Sequence, residues 1–211
     1  MTSSPSAHGL VVLLHGVGSN GEDMLSLARS WRSSLPDVRF AALDAPFAFD
    51  QGGTGCQWFS VAGISPENRP ARIAAARPAF DAVMGAELAR LGFTDRLDRV
   101  VLVGFSQGAM MALDAAASGR WPVAGVVAIS GRLASPPPLS PSAGAKVLLL
   151  HGSADPVVPS WETARAEAIL QAEGFDVRSR IFPGLGHTVS AEGAALTRDF
   201  IATVLAPAAA G

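Results

Sequence analysis

Apolar residues fall along this chain in two alternating kinds of run. Short uninterrupted ones, rich in Val, Leu and Ile, recur at about 10–14, 38–43, 99–103, 123–129, 146–150 and 178–182. Between them, apolar residues return every three or four positions. The first kind has the length of a strand buried on both faces, and the second has the spacing of a helix with one covered side. Asn20 to Leu35 puts Met24, Leu27, Ala28, Trp31 and Leu35 on one side. Ile73 to Leu91 does the same with Ile73, Ala76, Phe80, Val83, Met84, Leu88 and Leu91, and Pro78 within it is expected to start or kink a helix. Residues 107–118 are apolar almost all round, which predicts the most buried helix. Two more helices are expected at about 160–173, closed by Gly174, and about 190–205.

Strands and helices that alternate through right-handed crossovers form an α/β fold, a parallel sheet covered on both faces. No repeat or linker interrupts the pattern. Residues 9–206 are therefore expected to be one domain, between a short disordered lead (1–8) and a tail (207–211). With 211 residues, 49% of them hydrophobic, the chain has room for a substantial core.

Composition removes several functional classes. A net charge of −2 offers no basic patch for nucleic acid and no field for a membrane surface. The apolar runs are strand-length, which predicts no stable membrane insertion. Met1 to His8 lacks the charged and apolar regions of a signal peptide. Cys56 is the single cysteine, so no internal disulfide can form, and the chain is expected in the reducing cytoplasm. Oligomeric state leaves no signature here.

The chemistry concentrates at Val100-Val-Leu-Val-Gly104-Phe-Ser106-Gln-Gly108-Ala-Met-Met. A strand runs into Gly-x-Ser-x-Gly, and a helix follows at once. Glycines two before and two after the serine let backbones pass where a Cβ would clash. Ser106 is expected in a strained turn, its hydroxyl exposed over a helix N-terminus: a nucleophile elbow. A serine nucleophile needs a base, and the base an orienting acid. On such elbows the chain order is Ser, acid, His. Val147-Leu-Leu-Leu-His151-Gly-Ser-Ala-Asp155 is a strand running into a turn with an acid, and the glycine-rich exit of a later strand carries His187. Both lie past the C-terminal end of a strand, the edge where sites form in open parallel sheets.

An earlier strand exit, His15-Gly16-Val17-Gly18, frees a backbone N–H, that of Val17, to face a developing oxyanion. The N–H of Gln107, directly after Ser106 and at a helix N-terminus, is the second expected donor.

Together with Gln57-Trp58-Phe59, Gly152-Ser-Ala-Asp155-Pro-Val-Val-Pro159 and Gly186-His187, these motifs make the chain resemble the phospholipase/carboxylesterase family of α/β-hydrolases, which includes acyl-protein thioesterases and small bacterial carboxylesterases. The resemblance runs from about residue 8 to about 205. It implies Ser106, Asp155 and His187 as a triad, and Val17 and Gln107 as backbone oxyanion donors. It also implies an α/β-hydrolase sheet of about six strands, mainly parallel, without a large cap domain. There the second strand lies outside the first and the third on the first strand's other side, so ligand should bind between strands one and three. The chain departs from the eukaryotic thioesterases mainly over 47–68 and looks closer to the bacterial esterases. The activity implied is cleavage of carboxylic esters or thioesters through an acyl-enzyme, with no cofactor and no metal.

Other readings stay open at this stage. A peptidase-like or perhydrolase activity could use the same triad, and a non-catalytic binding module could use the fold, although such modules usually lose the serine, the histidine or an elbow glycine. Trp58 and Phe59 lie in a loop with no strand or helix period. They either line an acyl pocket or plug the core, and with Gly16 they are the candidate substrate contacts. His15 and His151 are expected as structural hydrogen-bonders. No histidine pair has zinc-ligand spacing. Asp44 is a competing acid in the wrong chain order. Cys56 sits on no elbow, and Asp114, inside an apolar helix, needs a partner that the sequence does not identify.

Overall fold

The computed structural model describes residues 7–140 and 145–207. Most of the expected lead and tail therefore lies outside the described residues. The six expected strands are β1 (Gly9–Leu14), β2 (Val38–Leu43), β5 (Val100–Phe105), β6 (Gly125–Ile129), β7 (Lys146–Gly152) and β8 (Asp176–Phe182). They form one sheet in the order β2-β1-β5-β6-β7-β8, every neighbouring pair parallel. β2 lies outside β1, and β5 lies on the other side. A separate antiparallel ribbon pairs β3 (Phe47–Ala48) with β4 (Cys56–Gln57).

The four central strands are buried almost without a break, because both sheet faces are covered. Their side chains divide by parity. Leu10, Val12, Leu102, Val126 and Leu149 meet the face covered by α2 (Arg69–Leu91), α3 (Gln107–Ala117) and α4 (Trp161–Ala172). Val11, Leu13, Val103, Val127 and Leu150 meet the face covered by α1 (Gly21–Arg29) and α5 (Ala191–Val204). Edge strand β8 carries Asp176, Arg178 and Arg180, charges that discourage further pairing.

Two expected helices differ from the observed ones. α1 stops at Arg29, and turns carry the chain on. Trp31 and Leu35 are nevertheless buried, and Trp31 Nε1 donates to the Ala194 carbonyl at 3.0 Å. α2 does not start at Pro78. It begins at Arg69 with a proline in its first turn and runs through Pro78 to Gly92, which caps it with φ +77°. Pro78 is on the solvent side, where water can serve the carbonyl that its missing N–H leaves free.

Asp114, fully buried in α3, has its partners. Arg77 of α2 grips it with two hydrogen bonds of 2.8 and 3.0 Å, and Arg120 adds one of 3.1 Å. Arg120 also binds Asp81, which accepts from Trp121 Nε1. Two bidentate-capable arginines thus offset a buried carboxylate and pin α2 to α3. Among the described residues, no helix is long and apolar enough to cross a membrane.

Candidate active site

β5 ends at Phe105 and α3 begins at Gln107, so Ser106 alone makes the turn, at φ 52° and ψ −112°. That conformation is strained for a residue with a Cβ and is held by its surroundings. The Ser106 N–H donates to the Ile129 carbonyl at 2.9 Å, fastening the turn to β6. The flanking glycines are obligatory. A Cβ on Gly104 would strike the Gly108 carbonyl, and one on Gly108 would strike the Leu14 carbonyl. The hydroxyl is less open than expected, with 7% of the residue exposed, because Gly16 and His187 close over it.

The Ser106 hydroxyl donates to His187 Nε2 at 3.0 Å, and His187 Nδ1 donates to Asp155 Oδ2 at 2.7 Å. His187 reaches this point from the loop between β8 and α5, its ring 4.9 Å from that of Phe105. Asp155 sits in the turn after β7, its carboxylate wholly buried. Burial alone would push its pKa up. The His187 hydrogen bond, the Val158 and Val157 N–H groups on Oδ1 (2.9 and 2.8 Å) and the neighbouring imidazole charge outweigh burial and hold the pKa below the ordinary carboxylate range. Serine, imidazole and ionised carboxylate thus form one continuous line across three loops. Such a line can move a proton from oxygen to nitrogen and back.

His151, the penultimate residue of β7, supports the same carboxylate. Its Nε2 lies 2.8 Å from the Val158 carbonyl and 3.2 Å from Asp155 Oδ2, and its Nδ1 lies 2.8 Å from the Thr163 hydroxyl. A carbonyl only accepts, so Nε2 carries the proton and Nδ1 accepts from Thr163. Sequence reasoning gave His151 a structural role and missed its contact with the acid. The only signal was its position four residues before Asp155.

The loop after β1 closes the other side of the elbow. His15, fully buried, accepts the Ala45 N–H at Nε2 (3.0 Å), so its Nδ1 proton goes to the Gly16 carbonyl (2.6 Å). Burial pushes its pKa down. This fixed, neutral imidazole sets the path of Gly16 and Val17. Among the described residues, the Val17 N–H has no hydrogen-bond acceptor. The Gln107 N–H, first in α3, has none within its helix.

Trp58, expected either in an acyl pocket or in the core, is nearly wholly buried. Only 1% of it is exposed, its Nε1 donates to the His15 carbonyl at 2.9 Å, and its ring packs against Phe80. It packs in the core beneath the loop, and the little surface it keeps borders a groove shared with Phe59, Ser60 and Arg72. Phe59 is 5% exposed and belongs to the same core. Both are tied to the elbow by the Gln107 side chain, whose Oε1 accepts the Trp58 N–H (2.8 Å) and whose Nε2 donates to the Phe59 carbonyl (2.7 Å). Nothing local in the sequence revealed that clasp. Gly16, by contrast, does lie against the site: a Cβ there would come within 3.4 Å of Ser106 Cβ.

The competing candidates are elsewhere. Asp44 is solvent-exposed and accepts the Gly21 N–H at 2.7 Å. Cys56 pairs with Ala48 in the two-stranded ribbon. Among the described residues, no three His, Cys, Asp or Glu side chains gather as a metal site would require.

Comparison with known proteins identifies the family. The Phospholipase/Carboxylesterase family model matches residues 2–205. Esterase YpfH of Escherichia coli is 33% identical over 184 residues, covering 87% of this chain and 77% of that protein. Acyl-protein thioesterase 1 of Schizosaccharomyces pombe is 30% identical over 206 residues, covering 92% and 90%. The crystal structure of esterase PE8 superposes with a TM-score of 0.85 at 36% identity, covering 95% of this chain and 94% of that one. With the sheet order, the elbow and the sequence match in agreement, the chain belongs to the phospholipase/carboxylesterase family of α/β-hydrolases.

Proposed function

We propose that this chain is a serine hydrolase of carboxylic esters or thioesters, with Ser106 as nucleophile, His187 as base and Asp155 as orienting acid. The observation that carries the reading is the pair of hydrogen bonds, 3.0 and 2.7 Å, joining Ser106 Oγ through His187 to a buried carboxylate.

In the proposed cycle, Ser106 Oγ attacks the acyl carbon while its proton passes to His187 Nε2. The carbonyl electron pair moves onto oxygen, and the N–H groups of Val17 and Gln107 receive the oxyanion. Each such donor contributes a few kcal/mol to the transition state. Collapse breaks the C–O or C–S bond, and His187 returns its proton to the departing alcohol or thiol. A water, deprotonated by the same nitrogen, then attacks the acyl-enzyme and releases acid and serine. Every proton in this cycle is carried by His187, so the proposed chemistry calls for no cofactor.

The names esterase and acyl-protein thioesterase, borne by relatives, support small acyl esters and thioesters as substrates. The single cysteine supports work in a reducing cytoplasm. The test is a fluorophosphonate probe beside p-nitrophenyl butyrate turnover. Native protein is expected to be labelled, and heat-denatured protein and Ser106→Ala are not. Ser106→Ala should keep only a residual rate, about 10³ above water. Retention of more than about a tenth of wild-type kcat/KM would overturn the nucleophile assignment.

A further inference from the structure

Trp58 and Phe59 keep little exposed surface. A groove of about 580 Å³ adjoins the catalytic line, between the loop after β1, α1 and the segment following His187. Met24, Leu27, Phe105 and Val189 give it an apolar body, and His187, Gly16 and Val17 form its inner wall.

Its polar lining, the Thr188 hydroxyl apart, is accepting. Ser26 and Ser30 spend their hydroxyl protons on the Asp23 and Leu27 carbonyls (2.7 and 2.8 Å), and Ser19 donates to the Asp23 carboxylate. These three hydroxyls therefore offer the groove lone pairs only. Asp23 is the one carboxylate lining it, and no Lys or Arg does. The nearby Arg29 is paired with Glu22 at 2.7 Å. Apart from the Thr188 hydroxyl and the N–H groups of the inner wall, the groove presents acceptors and negative charge around an apolar floor.

Proton transfer decides which half of the substrate lies here. The leaving atom must come within hydrogen-bond reach of His187 Nε2, because that nitrogen protonates it. The oxyanion faces the Val17 and Gln107 N–H groups, and the acyl carbon is held at Ser106 Oγ. The group attached to the leaving atom therefore runs along the surface of which His187 is a wall.

We propose that this groove is the leaving-group subsite, and that it selects esters of apolar-bodied alcohols that are neutral or cationic over those of anionic alcohols. This rests on the serine-hydrolase reading above.

Two ester ladders separate the halves of the substrate: butyrates of methanol, butanol and hexanol, and methyl esters of butyric, hexanoic and octanoic acids. Wild-type kcat/KM should climb the alcohol ladder by about two- to four-fold for each methylene that the groove covers. Leu27→Ser should lower the hexyl-to-methyl ratio by about ten-fold, and the slope of the acid ladder should persist. Val189→Ser, on the opposite wall, should do the same and serves if Leu27→Ser fails to fold. Wild type should also prefer the butyrate of choline to that of 2-hydroxyethanesulfonate at low salt, and Asp23→Asn should narrow the gap by roughly three-fold. A flat alcohol ladder, or a loss confined to the acid ladder in both variants, overturns the subsite. A wild type that hydrolyses none of these esters and takes no fluorophosphonate defeats the serine-hydrolase reading instead.

Discussion

Asp155 Oδ2 lies between two imidazoles, His187 Nδ1, which donates to it at 2.7 Å, and His151 Nε2, 3.2 Å away, and only the first of them reaches Ser106. The second is wholly inside the protein and anchored at its far nitrogen by Thr163. The carboxylate is thus held from behind by a ring that never meets substrate.

His151→Phe keeps the ring's bulk but strips the Val158 carbonyl and the Thr163 hydroxyl of their partner. It should cost about 1–3 kcal/mol of stability. kcat should fall by about ten-fold with KM little changed, since the loss is of alignment and not of binding. Unfolding curves and steady-state kinetics check both, and an unchanged kcat would remove His151 from the catalytic support.

Asp155→Asn should cut kcat by about 10⁴, because the amide cannot hold His187 in the required tautomer. Asp44→Asn, exposed and bonded only to a backbone N–H, should change kcat by less than about three-fold. If the Asp44 variant proved the more damaging, the acid would be misassigned.

Trp58→Ala removes a core side chain and its bond to the His15 carbonyl. It should lower stability by about 3–5 kcal/mol. Activity that survives should drop by the same factor on acetate, butyrate and octanoate esters. A loss that grew with acyl length would return Trp58 to the substrate pocket.

The depressed pKa of His15 has a definite sign in stability. An imidazole in the unfolded chain titrates at about 6.5. Below that pH the unfolded chain binds a proton that the folded chain, with a lower pKa, still refuses. The contribution of His15 is therefore complete above about pH 6.5 and is lost as pH falls toward the folded value. Tm should drop between pH 7.5 and 5, and His15→Gln, which can donate to Gly16 and accept from Ala45 without titrating, should flatten that drop. Equal slopes for the two proteins would contradict the assignment.

Those residues also mark how far the sequence could be read. β1, β5, β6 and β7 were legible because strands covered on both faces must be apolar at every position. Ser106 and Asp155 stood out because each follows such a strand, and His187 because it follows the charged edge strand β8 at the same sheet edge. The partners of Asp114 were not, since Arg77 lies 37 residues away and is brought alongside only by α2 packing on α3. The path of α2 through Pro78 depended on which side of the helix faces water. The burial of Trp58 turned on one long-range clasp, from a glutamine side chain that no local pattern distinguishes.

That clasp has a kinetic meaning. Gln107 lends its backbone N–H to the proposed oxyanion position and both ends of its amide to the Trp58–Phe59 segment, which in turn holds the carbonyl of His15. The loop therefore cannot fray by itself, as most surface loops do at little free-energy cost. Opening it would pull a tryptophan out of the interior and loosen both sides of the proposed oxyanion pocket in one step. On heating, such a site stays fully competent until the molecule melts as a whole, without passing through a stage that is folded but inactive.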